Sequence, residues 1–331
     1  MEVTLSGTYR NEVYANVKVK ALGEPRQGNK GWFINVDGAG YKGVPQGVFR
    51  MSIRDPQVVQ GLIIQQNYAM DKEPVSNETD EQIVERIAKR FAILAKMAAG
   101  AASGAVRSMI VSGGPGVGKS FTVEKELEVA SDNGTVRFDA VKGTITPINL
   151  YKKLYELSDK NCVLMLDDCD SILFEEQALN LLKSALDTNG KRRISWMSEH
   201  ASLKDIPESF VFQGAVIFIT NLDFQRIVDE GKNKLVPHFE ALLTRSLYLD
   251  LTLRSKRELV NWIGYVVREE EMLVKQGLTV KQSEEVLVYL KENLDRLRTV
   301  SLREALKAAN LVRANPKSWR ELADVVMLKT R

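Results

Sequence analysis

The sequence predicts an α/β fold: a parallel sheet flanked by helices, with a C-terminal all-helical part and a small β-rich N-terminal module. Three observations predict it. The stretch Gly113-Gly114-Pro115-Gly116-Val117-Gly118-Lys119-Ser120 fits G-x-x-x-x-G-K-[ST], with the strand-like run Met109-Ile110-Val111 ahead and a helix-like segment from Phe121 to Leu127 behind. Two further apolar runs, Cys162 to Leu166 and Ala215 to Ile219, are short, continuous and end in polar residues, which is the pattern of buried parallel strands. From about residue 253 onwards the apolar residues recur at helical spacing.

The elements follow in order. Residues 1–54 are read as a separate β module: Val13, Ala15, Val17 and Val19 alternate with Tyr14, Asn16, Lys18 and Lys20, and Gly31 to Val36 and Val48 to Ile53 are further strands. Glycines and prolines between them mark turns. Trp32 and Phe33 are read as filling its small core; a nucleic-acid or peptide surface formed with Tyr41 and the lysines is the alternative. Residues 55–78 form a connector with a short helix around Val58 to Tyr68. Thr79-Asp80-Glu81-Gln82 matches a capping box and opens a long helix with Ile83, Ile87, Phe91 and Leu94 on one side. After the glycine loop and its helix come a strand from Thr135 to Phe138, a loop from Val141 to Thr146 and a helix opened by Pro147. Next are the strand ending in Asp167-Asp168, a helix through Leu186, and the cationic stretch Lys191 to Arg193, read as a solvated turn or a nucleic-acid contact. Four helices are expected in the C-terminal part: Arg257 to Val267, Ser283 to Leu294, Leu302 to Val312 and Trp319 to Met327.

Composition bounds the class. At 331 residues and 44% apolar content the chain is globular and long enough for two or three domains. A net charge of +3 permits nucleic-acid contact without demanding it. No apolar run has the length of a membrane span, and Met1 to Arg10 lacks the apolar core of an export signal, so a cytoplasmic location is expected. Cys162 and Cys169 form neither a metal-spaced cluster nor a disulfide framework, and His200 and His238 stand far apart.

The chemistry rests on two stretches. In Gly113–Ser120 the glycines let backbone N–H groups turn toward phosphates, and the helix behind adds its positive end. Lys119 is placed to reach the β- and γ-phosphates, and the Ser120 hydroxyl to sit on Mg²⁺. The second stretch puts Asp167 and Asp168 at a strand's carboxyl end, where ligands of open α/β sheets bind. Asp167 suits a metal shared with Ser120, and Asp168 is placed to orient or deprotonate an attacking water. The bland alternative is an Asp-rich cap for the next helix, with Asp170-Ser171 as the cap itself.

These pieces, in this order, resemble the AAA+ ATPase superfamily over residues 80–331. Gly113–Ser120 matches Walker A, Leu164–Asp168 matches Walker B, and Asn221 at a strand end matches sensor 1. Phe239-Glu240-Ala241-Leu242-Leu243-Thr244-Arg245-Ser246 looks like the segment carrying the arginine finger, with Arg245 in that place. Ser301-Leu302-Arg303-Glu304 resembles sensor 2, with Arg303 as its arginine. The resemblance divides the chain into a β module at 1–54, a connector at 55–78, an ATPase core at 79–252 and a helical lid at 253–331. It departs at Asp168, where the family usually has Glu; the shorter acid must hold a water closer. The Asp-Asp-Cys-Asp form of Walker B and the compact size look similar to phage-encoded or other small ATPases, for which the host cytoplasm would be the location.

The resemblance implies ATP with Mg²⁺ between core and lid, held by Gly113–Ser120, Phe121 and Arg303. It implies hydrolysis with Asp168, Asn221 and Arg245 as catalytic residues. Because Arg245 would act on a neighbouring subunit's site, a homo-oligomeric ring, expected as a hexamer, is implied. A pore loop falls at Lys142, Gly143 and Thr144; a lysine there, with no aromatic, suits a phosphate backbone. The sequence-level reading therefore leans to a nucleic-acid role in replication, recombination or helicase loading. A protein-remodelling ATPase with clients recognised by the β module, and an ATP-gated assembly switch, are the alternatives.

Overall fold

A computed structural model describes residues 2–10, 12–22, 26–28, 31–53, 78–188, 191–197, 203–230 and 235–329. The expected connector helix around Val58 to Tyr68, and His200, lie outside the described residues.

The N-terminal module consists of β1 (Glu2–Tyr9), β2 (Glu12–Ala21), β3 (Arg26–Gly28), β4 (Gly31–Asp37) and β5 (Val48–Ile53). All pairings are antiparallel, in the order β2-β1-β5-β4-β3, and β2 also pairs with β4 through Lys20↔Asp37, which curls the sheet back on itself. The period-two pattern sends Leu5, Val19, Ile34, Val36, Phe49 and Met51 inward to one core. Gly7 is required where β1 meets β5, since a Cβ there would lie 2.4 Å from the Ser52 carbonyl oxygen. Trp32 and Phe33 do not fill this core. Trp32 is 36% exposed, and Phe33 belongs to the strand face opposite Ile34 and Val36, where the Arg50 guanidinium lies 4.1 Å from its ring centre. The core positions are the alternate residues Ile34 and Val36; Phe33 lies on the other face, and Trp32 shares their register but sits at the exposed start of the strand.

The second sheet is entirely parallel: β6 (Ser108–Ser112), β7 (Arg137–Lys142), β8 (Cys162–Asp167), β11 (Ala215–Thr220) and β12 (Leu247–Asp250), in the order β12-β6-β11-β8-β7. A short hairpin of β9 (Arg193–Ser195) and β10 (Ser209–Val211) stands beside it. Alternation in the central strands builds two cores, one on each face. Ile110, Leu164, Leu166, Val216 and Phe218 pack against α3 (Pro147–Glu156), α4 (Glu176–Ala185) and α6 (Val236–Arg245). Met109, Val111, Val163, Met165, Ile217 and Ile219 pack against α1 (Asp80–Ala102) and α2 (Lys119–Asp132). Helix α1 starts with the full capping box: the Thr79 hydroxyl accepts from the Gln82 amide while the Gln82 side chain accepts from the Thr79 amide. Helix α5 (Phe224–Glu230) links β11 to α6.

Two local readings are corrected. Strand β7 runs through Val141 and Lys142 rather than ending at Phe138, because its ladder with β8 continues to the pair Lys142↔Asp167. Arg192 is not in a solvated turn; it is 5% exposed and donates to the Ala185 and Gly214 carbonyls at 3.0 and 2.8 Å.

The C-terminal part is helical: α7 (Lys256–Arg268), α8 (Val280–Glu292), α9 (Leu302–Ala314) and α10 (Trp319–Met327). They share a core of their own around Val286, Leu290, Ala305, Ala309 and Ala323. Trp262 of α7 instead belongs to the core-sheet cluster, stacked on Phe91 of α1 with ring centres 4.5 Å apart. This residue fastens the helical part to the sheet domain. No helix among the described residues is long and apolar enough to cross a membrane.

Candidate active site

The site forms where β6 ends and α2 begins. Gly113, Gly116 and Gly118 have φ of 155°, 71° and 108°. The neighbourhood is as demanding as the backbone at Gly116, where a Cβ would meet the Ser301 Cβ at 2.9 Å. Lys119, the first residue of α2, is 5% exposed. Its Nζ donates to the Gly113 and Gly114 carbonyls at 2.7 and 2.9 Å and to Asn221 Oδ1 at 3.0 Å. Burial pushes its ammonium down to about 8, against the pull of Asp168 and Asp167. All three ammonium protons are thus engaged by neutral acceptors, in whose place a phosphate would offer negatively charged oxygens.

Across the loop, β8 and β11 deliver the polar groups from adjacent strand ends. Ser120 Oγ donates to Asp167 Oδ1 at 2.8 Å. Burial raises Asp167 above the usual carboxylate range, while the Ser120 hydroxyl works against that shift. Asp168 is exposed and takes a left-handed φ of 53°, a conformation Asp tolerates better than most residues. Its Oδ1 accepts from Asn221 Nδ2 at 2.7 Å. Asn221 therefore bridges Lys119 and Asp168, joining the loop to the acids. Asp170, read from sequence only as a helix cap, begins a 3₁₀ turn (Asp170–Phe174), and its carboxylate accepts from the Thr220 hydroxyl at 2.6 Å. Burial pushes its carboxyl up to about 6.

The helical part closes on the loop from the other side. The Leu302 amide donates to the Gly116 carbonyl at 2.9 Å, and Trp262 Nε1 donates to the Val117 carbonyl at 2.8 Å. Arg303 is exposed, and its stem lies against Gly116, 3.5 Å from where a Cβ would stand. A cleft of about 1100 Å³ opens here, lined by Gly114, Pro115, Val117, Ser301 and Arg303 among others. Neither bond to the loop, one from the Leu302 backbone and one from the Trp262 side chain, was foreseen from sequence; both join segments far apart in the chain, and no local pattern announces them.

Other expected residues fall elsewhere. Phe121 is 72% exposed on α2. Lys142 Nζ pairs with Glu124 Oε1 of α2 at 2.6 Å, so it is a strand-end residue with a carboxylate partner rather than a free loop cation; Gly143, with φ of 95°, and Thr144 follow it in the loop. Arg245 ends α6, with Nη1 donating to the Ala241 carbonyl at 2.9 Å. Its own carbonyl accepts from Ser108 Oγ at 2.7 Å, at the amino end of β6. The glycine loop leaves the carboxyl end of that strand, so Arg245 and the loop occupy opposite ends of the sheet.

The residues fit a magnesium-bound triphosphate. Three loop glycines with positive φ let backbone N–H groups turn inward, and Ser120 and Asp167 converge beside them. Among the described residues no group of three or more His, Cys, Asp or Glu could hold a metal. A Mg²⁺ ion characteristically needs only one or two protein ligands plus phosphate oxygens.

Comparison with known proteins places the chain. It is 38% identical over 248 residues to an uncharacterised 36.7 kDa protein from the nrdC–mobD intergenic region of Enterobacteria phage T4, spanning 74% of this chain and 76% of that one. The chain belongs to one family with this phage protein. No family profile matches the chain. Solved structures that overlap it include NtrX from Brucella abortus in complex with ADP (15% identity, TM-score 0.44, 71% of this chain and 50% of NtrX). Domain III of the Thermotoga maritima replication initiation protein DnaA (14%, 0.43, 73% and 92%) and Rhizobiales Trip13 (10%, 0.39, 76% and 95%) overlap it too. Overlaps this loose carry no weight on function.

Proposed function

We propose that the chain is an ATPase that binds ATP with Mg²⁺ at the loop, hydrolyses it in an oligomeric ring, and couples turnover to work on a macromolecule. The observation that supports this best is the continuous chain of contacts Ser120–Asp167 and Lys119–Asn221–Asp168, which sets a metal-binding pair and a water-orienting pair beside one glycine cradle. Ser120 and Asp167 would hold Mg²⁺, which neutralises charge on the phosphate oxygens. Lys119 binds the β- and γ-phosphates. Asp168 and Asn221 orient the attacking water, with Asp168 taking its proton; the short acid is brought forward by its left-handed backbone. Arg303 approaches the phosphates from the lid. Arg245 serves the site of the next subunit, since it stands at the far end of its own sheet.

The client we propose is nucleic acid. On the N-terminal module, Lys18 and Lys20 are exposed and lie on the strand face opposite buried Val19 and Ala21, the same outer side as Phe33 and Arg50. Cations around an aromatic ring suit a phosphate backbone with stacked bases. The test is ATP turnover with and without single-stranded DNA, duplex DNA and RNA, repeated after Phe33→Ala with Arg50→Ala. Stimulation lost in the double variant supports the reading; stimulation by a protein partner alone would redirect it to protein remodelling. A purified chain indifferent to adenine nucleotides would sink it entirely.

A further inference from the structure

A second cationic site lies at the opposite end of the core sheet from the glycine loop. A cavity of about 310 Å³ opens where three parallel strands begin, bordered by Arg107 just before β6, Asn161 just before β8 and Gly214 just before β11. Lys160, Lys191 and Arg192 complete its polar wall, so four cations line it, and none of the described residues lining it is acidic. Among the described residues no ion pair involves any of the four.

Three of these cations are exposed and can be solvated by water. Arg192 cannot: it is 5% exposed. Its two bonds to the Ala185 and Gly214 carbonyls use two of five N–H donors. Its flat group lies over the Phe212 ring, 5.0 Å from the ring centre, and its two carbonyl bonds orient the fork. Burial lowers its proton affinity, and the charge of Arg107 lowers it further. A buried, pre-oriented guanidinium that faces other cations and lacks a carboxylate is costly unless an anion joins it. A fork of this kind matches the oxygens of a phosphate group.

We propose that this cavity binds a phosphate group, with Arg192 as the buried anchor and Arg107, Lys160 and Lys191 as the surrounding charges. A free anion and a phosphodiester of a nucleic-acid strand both offer such a phosphate; the chemistry recognised is the same. The proposal does not rest on nucleotide binding at the glycine loop, and its test removes that loop from consideration.

The test uses the full chain carrying Lys119→Ala. Thermal melting is followed in sodium phosphate against sodium chloride at equal ionic strength, with and without Arg107→Ala, Lys160→Ala and Lys191→Ala together. All three residues are exposed, so an unchanged melting point in chloride is expected and shows that the fold is retained. Phosphate should raise the melting point of the Lys119→Ala chain. The half-saturating concentration should rise at least about tenfold in the triple variant, as expected for loss of charge-assisted bonds. In parallel, a twenty-residue oligothymidylate is titrated by fluorescence anisotropy over a salt series. Weakened binding with a salt slope shallower by about one to two identifies the phosphodiester as the source; an effect on inorganic phosphate alone identifies a free anion. Absence of any phosphate-specific stabilisation, together with oligonucleotide binding that the triple variant leaves unchanged, overturns the proposal.

Discussion

Lys119 and Arg192 are each 5% exposed, and burial lowers the proton affinity of both. They sit at opposite ends of the same parallel sheet. At the carboxyl end, Lys119 bonds two loop carbonyls and Asn221, with Asp167 and Asp168 close enough to pull on its charge. At the amino end, Arg192 bonds two carbonyls with Arg107 pushing against it. The carboxyl end is an assembled set of opposite charges whose partners can be exchanged for a ligand's oxygens. The amino end carries uncompensated positive charge. Burial alone therefore does not distinguish a cation in a reaction site from a cation that props a turn or waits for an anion; the sign of its neighbours does.

The largest expected effect would sharpen this contrast by drawing on both ends at once. Arg245 is anchored at the amino end through its carbonyl on Ser108, so in the proposed ring it would act on another subunit's carboxyl end. Arg245→Ala should lower turnover of the assembled protein by about 10³-fold or more while leaving nucleotide affinity nearly unchanged. Mixing Arg245→Ala subunits with Lys119→Ala subunits should restore part of the activity, because mixed interfaces pair an intact loop with an intact arginine. Unchanged turnover in the assembled variant would remove Arg245 from the mechanism.

Next in size is Lys119→Ala itself. Loss of charge-assisted bonds to phosphate should weaken ATP binding about a hundredfold or more, read by calorimetry. The melting temperature in nucleotide-free buffer near pH 7 should not fall, since removing the buried ammonium relieves its desolvation as well as its bonds to the loop. Arg192→Met should behave in the opposite way. ATP affinity should hold, while unfolding in urea should show a loss of about 1–3 kcal/mol, because the Ala185 and Gly214 carbonyls lose their donor. Equal effects of the two substitutions on ATP affinity would break the comparison.

What the sequence disclosed follows the same line. The glycine loop, Asp167 and Asp168 were legible because each lies in a contiguous motif whose chemistry is local. The parallel sheet was legible because buried strands read as unbroken apolar runs. Arg192 was misread because Lys191-Arg192-Arg193 looks like any charged turn; its burial depends on Ala185 and Gly214, brought there by packing. Lys142 was misread for a related reason. Its carboxylate partner, Glu124, lies on a helix eighteen positions back, and only the register of β7 on β8 aligns the two. Trp32 and Phe33 show the limit of composition: a run of aromatics says that some face is apolar, not which residue faces in.

The smallest effect separates the two buried cations by titration. Lys119 is held near 8 in the folded chain, against an ordinary value of 10.5. Between those values the unfolded chain binds more protons than the folded one, so stability should rise with pH across that window and be flat below it. Arg192, lowered only to about 10, stays mostly charged in both states over this range and adds little slope to it. Urea unfolding at several pH values from 7 to 9.5 should therefore show the wild-type chain gaining on Lys119→Met by about 1 kcal/mol per pH unit above 8. Wild type and Arg192→Met should run parallel over the same range. If wild type and Lys119→Met also run parallel, the attraction of Asp168 and Asp167 at least offsets desolvation. Lys119 would then be an ordinary paired lysine, and the charge balance drawn here for the carboxyl end would need to be redrawn.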